Sequence, residues 1–197
     1  MKRKKNVLAL VFLLLCMSIL SARSLFDVGL QVVTLYDVDS GIEESSFFEG
    51  MSEGANWNFG FGMDVRISIL HASVLAASVS GDNNLMNIYY SLLLDIPIIN
   101  DVIYLSLGGG LSTQLDLPDE PGEKMRYNNR DEGVPFFEVI KDSPIHLKAG
   151  VDIILGPATL SLFYLRETSG NIGDSIEQIF TSSGVNKGGV ALTLSLF

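Results

Sequence analysis

Two histidines, a scatter of serines and many carboxylates are what this chain offers for chemistry. Nucleophilic catalysis needs a serine, a base and an orienting carboxylate in mutual contact. Ser112 or Ser161 would have to reach His146 across the fold, and no flanking motif supports either pairing. His71 falls where the chain reads as a tight connection, at Leu70-His71, and His146 lies near the outer end of a strand. A hydrogen-bonded or solvated role is expected for both, and no enzymatic activity. Zinc needs clustered cysteine or histidine ligands, and two isolated histidines with a single cysteine, Cys16, supply no such spacing. Asp39, Glu43, Glu44, Glu49 and Glu53 crowd one stretch without a basic residue. They lack the spaced carboxylates and central glycine of a calcium loop, which leaves a solvated surface loop or diffuse divalent screening. Gly108-Gly109-Gly110 is followed by no Lys-Ser/Thr and opens no helix, so it is no phosphate loop. No metal, cofactor or catalytic residue is expected.

The charged residues that do obey a pattern are Asp64, Arg66, Lys148 and Asp152. Each falls on the polar face of an alternating stretch. From Asn56 to Ile69 every odd position (Trp57, Phe59, Phe61, Met63, Val65, Ile67, Ile69) is apolar, and every even position is polar or glycine. Successive side chains of a strand point to opposite faces, so this stretch has one apolar and one wet face. It is far longer than an ordinary strand of a soluble sheet. It suits a strand tilted across a bilayer, which takes roughly 9–11 residues.

Seven other segments follow the same logic to different degrees. Leu25–Asp37 carries Phe26, Val28, Leu30, Val32, Thr34 and Tyr36 on one face. Ala72–Ser80 alternates weakly, with Leu75, Ala77 and Val79 as its expected apolar face. Leu85–Asp95 has Met86, Ile88, Tyr90, Leu92 and Leu94 opposite Asn87, Tyr89, Ser91 and Asp95, with a connection expected from Ile96 to Asp101. Val102–Leu115, Pro144–Leu155, Ala158–Arg166 and Lys187–Phe197 complete the set. Val134, Phe136 and Phe137 extend the sixth strand, form an exposed edge or pack on the lip.

The connections read long, short, moderate, short, long, short, long, so the short ones share one rim. Short turns on one side and long loops on the other characterise outer-membrane barrels. The fold class predicted is all-β: a closed antiparallel up-and-down transmembrane β-barrel of eight strands. Such an interior is narrow and is filled by side chains or one small ligand. Asp64 and Asp152 are then expected to pair with Arg66 and Lys148 in the lumen, because an unpaired buried charge is costly. Residues solvated near the rims are the simpler alternative. A soluble lipocalin-like barrel would invert the two faces, and alternation alone does not choose between them. Tyr36 and Trp57 flank the first long loop, where an aromatic girdle is expected at the membrane interface.

The N-terminus is basic at Lys2, Arg3, Lys4 and Lys5, apolar from Val7 to Leu20, and small at Ser21-Ala22. This reads as a secretory signal peptide over residues 1–22, leaving a barrel over 23–197. An uncleaved anchor and lipidation at Cys16 are the competing readings. Cleavage would remove four basic residues and no acids, leaving 9 basic against 23 acidic, or −14 in place of −10. Nonspecific nucleic-acid binding needs a basic face and is excluded. Yet mean hydropathy is positive, at +0.33. Alternating strands joined by charged loops reconcile the two.

Signal peptide, alternating strands and a terminal phenylalanine together resemble the small outer-membrane β-barrels of Gram-negative and spirochaete envelopes, of the OmpA-transmembrane-domain, OmpX and OmpW-like groups. The segment from Gly188 to Phe197 looks like the signal read by the barrel-assembly machinery, although Phe197 shares a face with Ser195 and Thr193. The resemblance implies residence in the cell outer membrane, contact with its lipid and insertion by that machinery. The function expected first is a non-enzymatic surface protein whose external loops bind a host or environmental partner, as in adhesion. A narrow porin-like channel, or a route for small hydrophobic solutes, is the alternative. A lipid-modifying enzyme lacks a visible triad, and a soluble ligand-binding barrel comes last.

Overall fold

The computed structural model describes residues 26–38, 56–79, 82–99, 101–118, 125–128, 134–141, 143–168 and 184–196. The expected signal peptide, most of the first long loop and Phe197 lie outside these residues. Ten elements follow one another: β1 Phe26–Asp37, β2 Trp57–Ile67, β3 Leu70–Val79, β4 Asp82–Ile99, β5 Ile103–Asp116, β6 Arg126–Tyr127, α1 Phe136–Lys141, β7 Ile145–Leu155, β8 Ala158–Thr168 and β9 Gly184–Ser195. Each long strand pairs antiparallel with the next, and β9 pairs with β1. The result is a closed eight-stranded up-and-down barrel, with two-residue β6 added at the far end of β5. Closure leaves no backbone edge unpaired around the wall.

Three tight connections share one rim: Ser68-Ile69 between β2 and β3, 100–102 between β4 and β5, and Gly156-Pro157 between β7 and β8. Each contains a residue of positive φ: Ser68 at 58°, Asp101 at 63° and Gly156 at 72°. Hairpins need such a residue so that the turn matches the right-handed twist of its strands. The opposite rim carries 38–56, 117–144 and 169–183. It also carries one short connection, 80–81, where a moderate loop is expected from the sequence.

The alternation sends aliphatics outward. Phe59 is 64 % exposed, Phe61 63 % and Leu92 61 %, whereas Arg66 is 2 % exposed and Asp95 1 %. Charges inside and aliphatics outside are the reverse of a soluble barrel, which disposes of the lipocalin-like alternative. The interior is layered. Towards the short-turn rim it is ionic. Above this sits an apolar layer of Val33, Leu35, Leu75, Ala77, Tyr89, Phe163, Leu165 and Ala191.

Glycine makes room for this filling. Gly108 and Gly110 point inward on β5, where an added Cβ would stand 2.8 Å from Leu93 Cα and 3.0 Å from Ser91 Cα of β4. The wall is too sharply coiled there for any larger residue, the use expected of glycine in a curved strand. At Gly189 a Cβ would fall 2.5 Å from Phe163 Cε2, so the Phe163 ring occupies the space that a side chain would need.

Several boundaries differ from expectation. Leu75 and Ala77 face inward, so the expected apolar face of β3 is the wrong one. The outward set is Leu70, Ala72, Val74 and Ala76. With alanine and serine on both faces the pattern is flat, and pairing with β2 through the turn at Ser68-Ile69 sets the phase. That turn also moves His71 out of a connection and into β3. β4 runs on through Pro97 to Ile99, with a register shift between Pro97 and Ile99 that absorbs the proline. Residues 136–141 form α1 rather than an extension of the strand. Val139 of α1 is fully buried, while Phe137 is 78 % exposed.

Candidate functional site

Alternation places Asp64 and Arg66 two residues apart on the inner face of β2, and the register carries their partners to them. β3 contributes His71 opposite Arg66, β4 brings Asp95, β5 brings Ser106 opposite Asp95, and β7 brings Lys148 and Asp152. Asp64, Arg66 and Asp152 meet in one buried cluster, and half-buried Lys148 lines the same space. Arg66 Nη2 lies 3.0 Å from Asp152 Oδ2 and 3.4 Å from Asp64 Oδ2, and Arg66 Nε lies 3.4 Å from Asp95 Oδ2. One guanidinium thus bridges carboxylates from three strands, and its partner Asp152 lies 86 residues away from it in sequence. Its planar fork suits this role as an ammonium would not.

His71 stands between two of the same acids, with Nε2 3.4 Å from Asp64 Oδ2 and Nδ1 3.3 Å from Asp95 Oδ1. Ser106 Oγ lies 2.7 Å from Asp95 Oδ1 and 2.8 Å from Asp152 Oδ2. A hydroxyl has one proton, so it donates to one acid at a time. Lys148 Nζ sits 4.3 Å over the Phe163 ring, joining the ionic layer to the apolar one. Three carboxylates face Arg66, Lys148 and His71. The free space among them is about 10 Å³, room for about one water.

His71, Asp95 and Asp152 bring one ligand atom each to within 4.8 Å of one another. Two of these three, Asp152 and Asp95, already face a cation, Arg66, which is hydrogen-bonded to the first and ion-paired with the second.

Nearer the long-loop rim, His146 is fully buried in β7. Its Nε2 lies 2.8 Å from Ser91 Oγ, and its ring meets Tyr89 edge-on at 5.5 Å. Neither serine weighed from the sequence as a partner is there, in line with the lack of a supporting motif: Ser112 Oγ donates to Glu167, and Ser161 lines the ionic layer below. Ser91 escaped the sequence because only the β4–β5–β7 register brings it to His146. Nδ1 of His146 has no hydrogen-bond partner among the described residues. Among the described residues no carboxylate orients this serine–histidine pair as a catalytic triad would require. A further buried cation, Lys187, donates to Tyr89 OH at 2.9 Å and stands 3.6 Å from Asp37, which accepts from Asn58 Nδ2 at 3.3 Å.

The mouth above is tied down. Asn128 exchanges backbone and side-chain hydrogen bonds with Gln114 at 2.8 Å. Ser143 Oγ donates to Val139 O at 2.9 Å and lies 3.1 Å from Thr113 Oγ1. These bonds fasten α1 to the end of β5. Tyr36 and Trp57 lie on the outer face at this rim, with ring centroids 5.4 Å apart. Tyr104, by contrast, points inward and is buried.

The solved structures similar to this chain include the N-terminal β-barrel domain of Pseudomonas aeruginosa OprF. It is 6 % identical, with 86 % of this chain and 97 % of that one covered at a TM-score of 0.53. Neisserial surface protein A is also similar, at 15 % identity, 87 % and 97 % coverage and a TM-score of 0.43. The first of these shares the eight-stranded barrel fold, in line with the expected likeness to small outer-membrane barrels. Neither is spirochaetal, so the spirochaete part of that resemblance has no support. No protein-family model and no curated protein sequence matches the chain.

Proposed function

We propose that this protein is an integral, non-enzymatic barrel of the outer membrane that displays external loops for partner binding. The observation that carries this reading is the pairing of an outward aliphatic wall with a sealed ionic interior. Only a hydrocarbon solvent makes a belt of half-exposed Leu, Phe, Ile and Val stable, and only a closed barrel satisfies the backbone in it. The interior favours display over transport. Arg66 and its acids fill one level and Phe163, Leu35, Leu75 and Leu165 the next, so solute passage would require both to move.

On this reading the short-turn rim faces the periplasm and the long loops face outward. Strand β9 is the segment presented to the barrel-assembly machinery, and the ligand at the loops is a host or environmental molecule. The alternative, a narrow channel or a route for small hydrophobic solutes, needs the two layers to open. Planar-bilayer conductance separates the two readings. Silence from wild-type protein, together with loss of cell-surface binding when 38–56 or 169–183 is replaced by a short turn, supports display. Steady unitary conductance from wild type overturns it. Flotation with liposomes and heat-dependent gel mobility test the membrane barrel beneath both readings.

A further inference from the structure

The outer wall is not smooth. An apolar groove of about 530 Å³ runs obliquely over the outer face, from Tyr36 and Val38 at the long-loop end of β1, across β9, β8 and β7, to Leu105 near the short-turn end of β5. This falls within the ~300–1,000 Å³ typical of small-molecule sites. The register explains it. The outward row Tyr36–Gly188–Tyr164–Ala149 alternates large and small, and the row beneath it, Val190–Leu162–Val151–Leu105, forms the floor. Tyr36 and Trp57 close one end.

Two residues beyond Tyr164 on the same outward face of β8 stands Arg166, about 7 Å further towards the rim. Its Nε is buried and has no hydrogen-bond partner among the described residues. The other cations of these strands, Lys148 and Lys187, both point inward. Arg166 is therefore the outward-pointing cation of the strands that carry the groove.

Resting on the membrane reading above, we infer that this groove holds an acyl chain of a glycerophospholipid whose single phosphate is bound by Arg166. The chain fits a slot with an almost entirely hydrocarbon lining. The phosphate supplies a charge-assisted acceptor for the Arg166 guanidinium. One cation selects a lipid with one phosphate over a doubly phosphorylated one.

Trp57 is the chain's only tryptophan, so its fluorescence reports occupancy of the groove. Full-length protein is reconstituted in phosphatidylcholine vesicles containing phosphatidylglycerol or phosphatidylcholine with brominated chains, and quenching of Trp57 is compared. Wild type is expected to prefer the anionic lipid about fivefold, and Arg166→Gln to abolish that preference. Gly188→Leu fills the groove: an added Cβ there meets nothing nearer than Val38 Cγ2 at 4.0 Å, so the barrel keeps its fold, as gel mobility would confirm. It is expected to lower quenching by both lipids. Equal quenching by the two lipids in wild type overturns the inference, as does full quenching in folded Gly188→Leu. Stronger displacement by bisphosphorylated lipid A than by unlabelled phosphatidylglycerol overturns the single-phosphate assignment. If wild type fails to float with vesicles, the membrane reading itself falls, and this inference falls with it.

Discussion

The ionic layer around Arg66 and the apolar layer around Leu75 fill the same narrow tube by opposite means. In the apolar layer each side chain contributes its own buried area, and removing one leaves a hole its neighbours partly close. In the ionic layer no member is stable alone. Arg66 is bound to Asp64, Asp95 and Asp152, and two of these also face His71. Deleting one charge leaves several others buried and unbalanced. The contrast is therefore one of additivity: local and graded above, collective and abrupt below.

Arg66→Met is the sharpest way to break this contrast. It should lower the stability of the detergent-folded barrel by about 3–5 kcal/mol, read as the urea midpoint of its heat-modifiable gel mobility. Adding Asp152→Asn should recover part of the loss; strict additivity of the two would refute the collective picture. Leu75→Ala, one layer higher, should cost about 3 kcal/mol and combine additively with Arg66→Met. Lys187→Met removes the hydrogen bond to Tyr89 and should cost about 1–2 kcal/mol, since Lys187 is ion-paired with Asp37 alone among the described residues whereas Arg66 bridges three acids. Ser68→Gly lies in neither layer. Relieving its positive φ should raise stability by about 0.5–1 kcal/mol and leave the coupling between Arg66 and Asp152 unchanged.

Where one face of a strand was strongly apolar, sequence sufficed. The stretch from Asn56 to Ile69 alternates without a break, so β2 and the inward aim of Asp64 and Arg66 were legible. In β7 the same held for Lys148 and Asp152. In β3 the inner face carries Leu75 and Ala77 and the outer face Ala72 and Ala76, so hydropathy has no phase to report. The turn that would have fixed it rests on Ser68, whose positive φ no residue type announces. Pro97 reads as a strand end, yet an irregular pairing lets β4 continue past it. Asp95 was visible as an inward residue of β4 but not as a partner of Arg66, and Ser91 was not visible as a partner of His146. Contacts between strands depend on stagger around the closed wall, which a single sequence does not encode locally. The six residues of α1 are too few to show a helical period.

Closure between β1 and β9 sets a condition on how the molecule is made. Ser195 donates to Asp27 across 168 residues of sequence, and the seam from Gly29 to Asp37 is completed only by the last strand. Until β9 arrives, β1 presents a bare row of amides and carbonyls to whatever surrounds it. Synthesis from the N-terminus therefore cannot finish the wall piece by piece. That edge stays open until the ring is sewn shut.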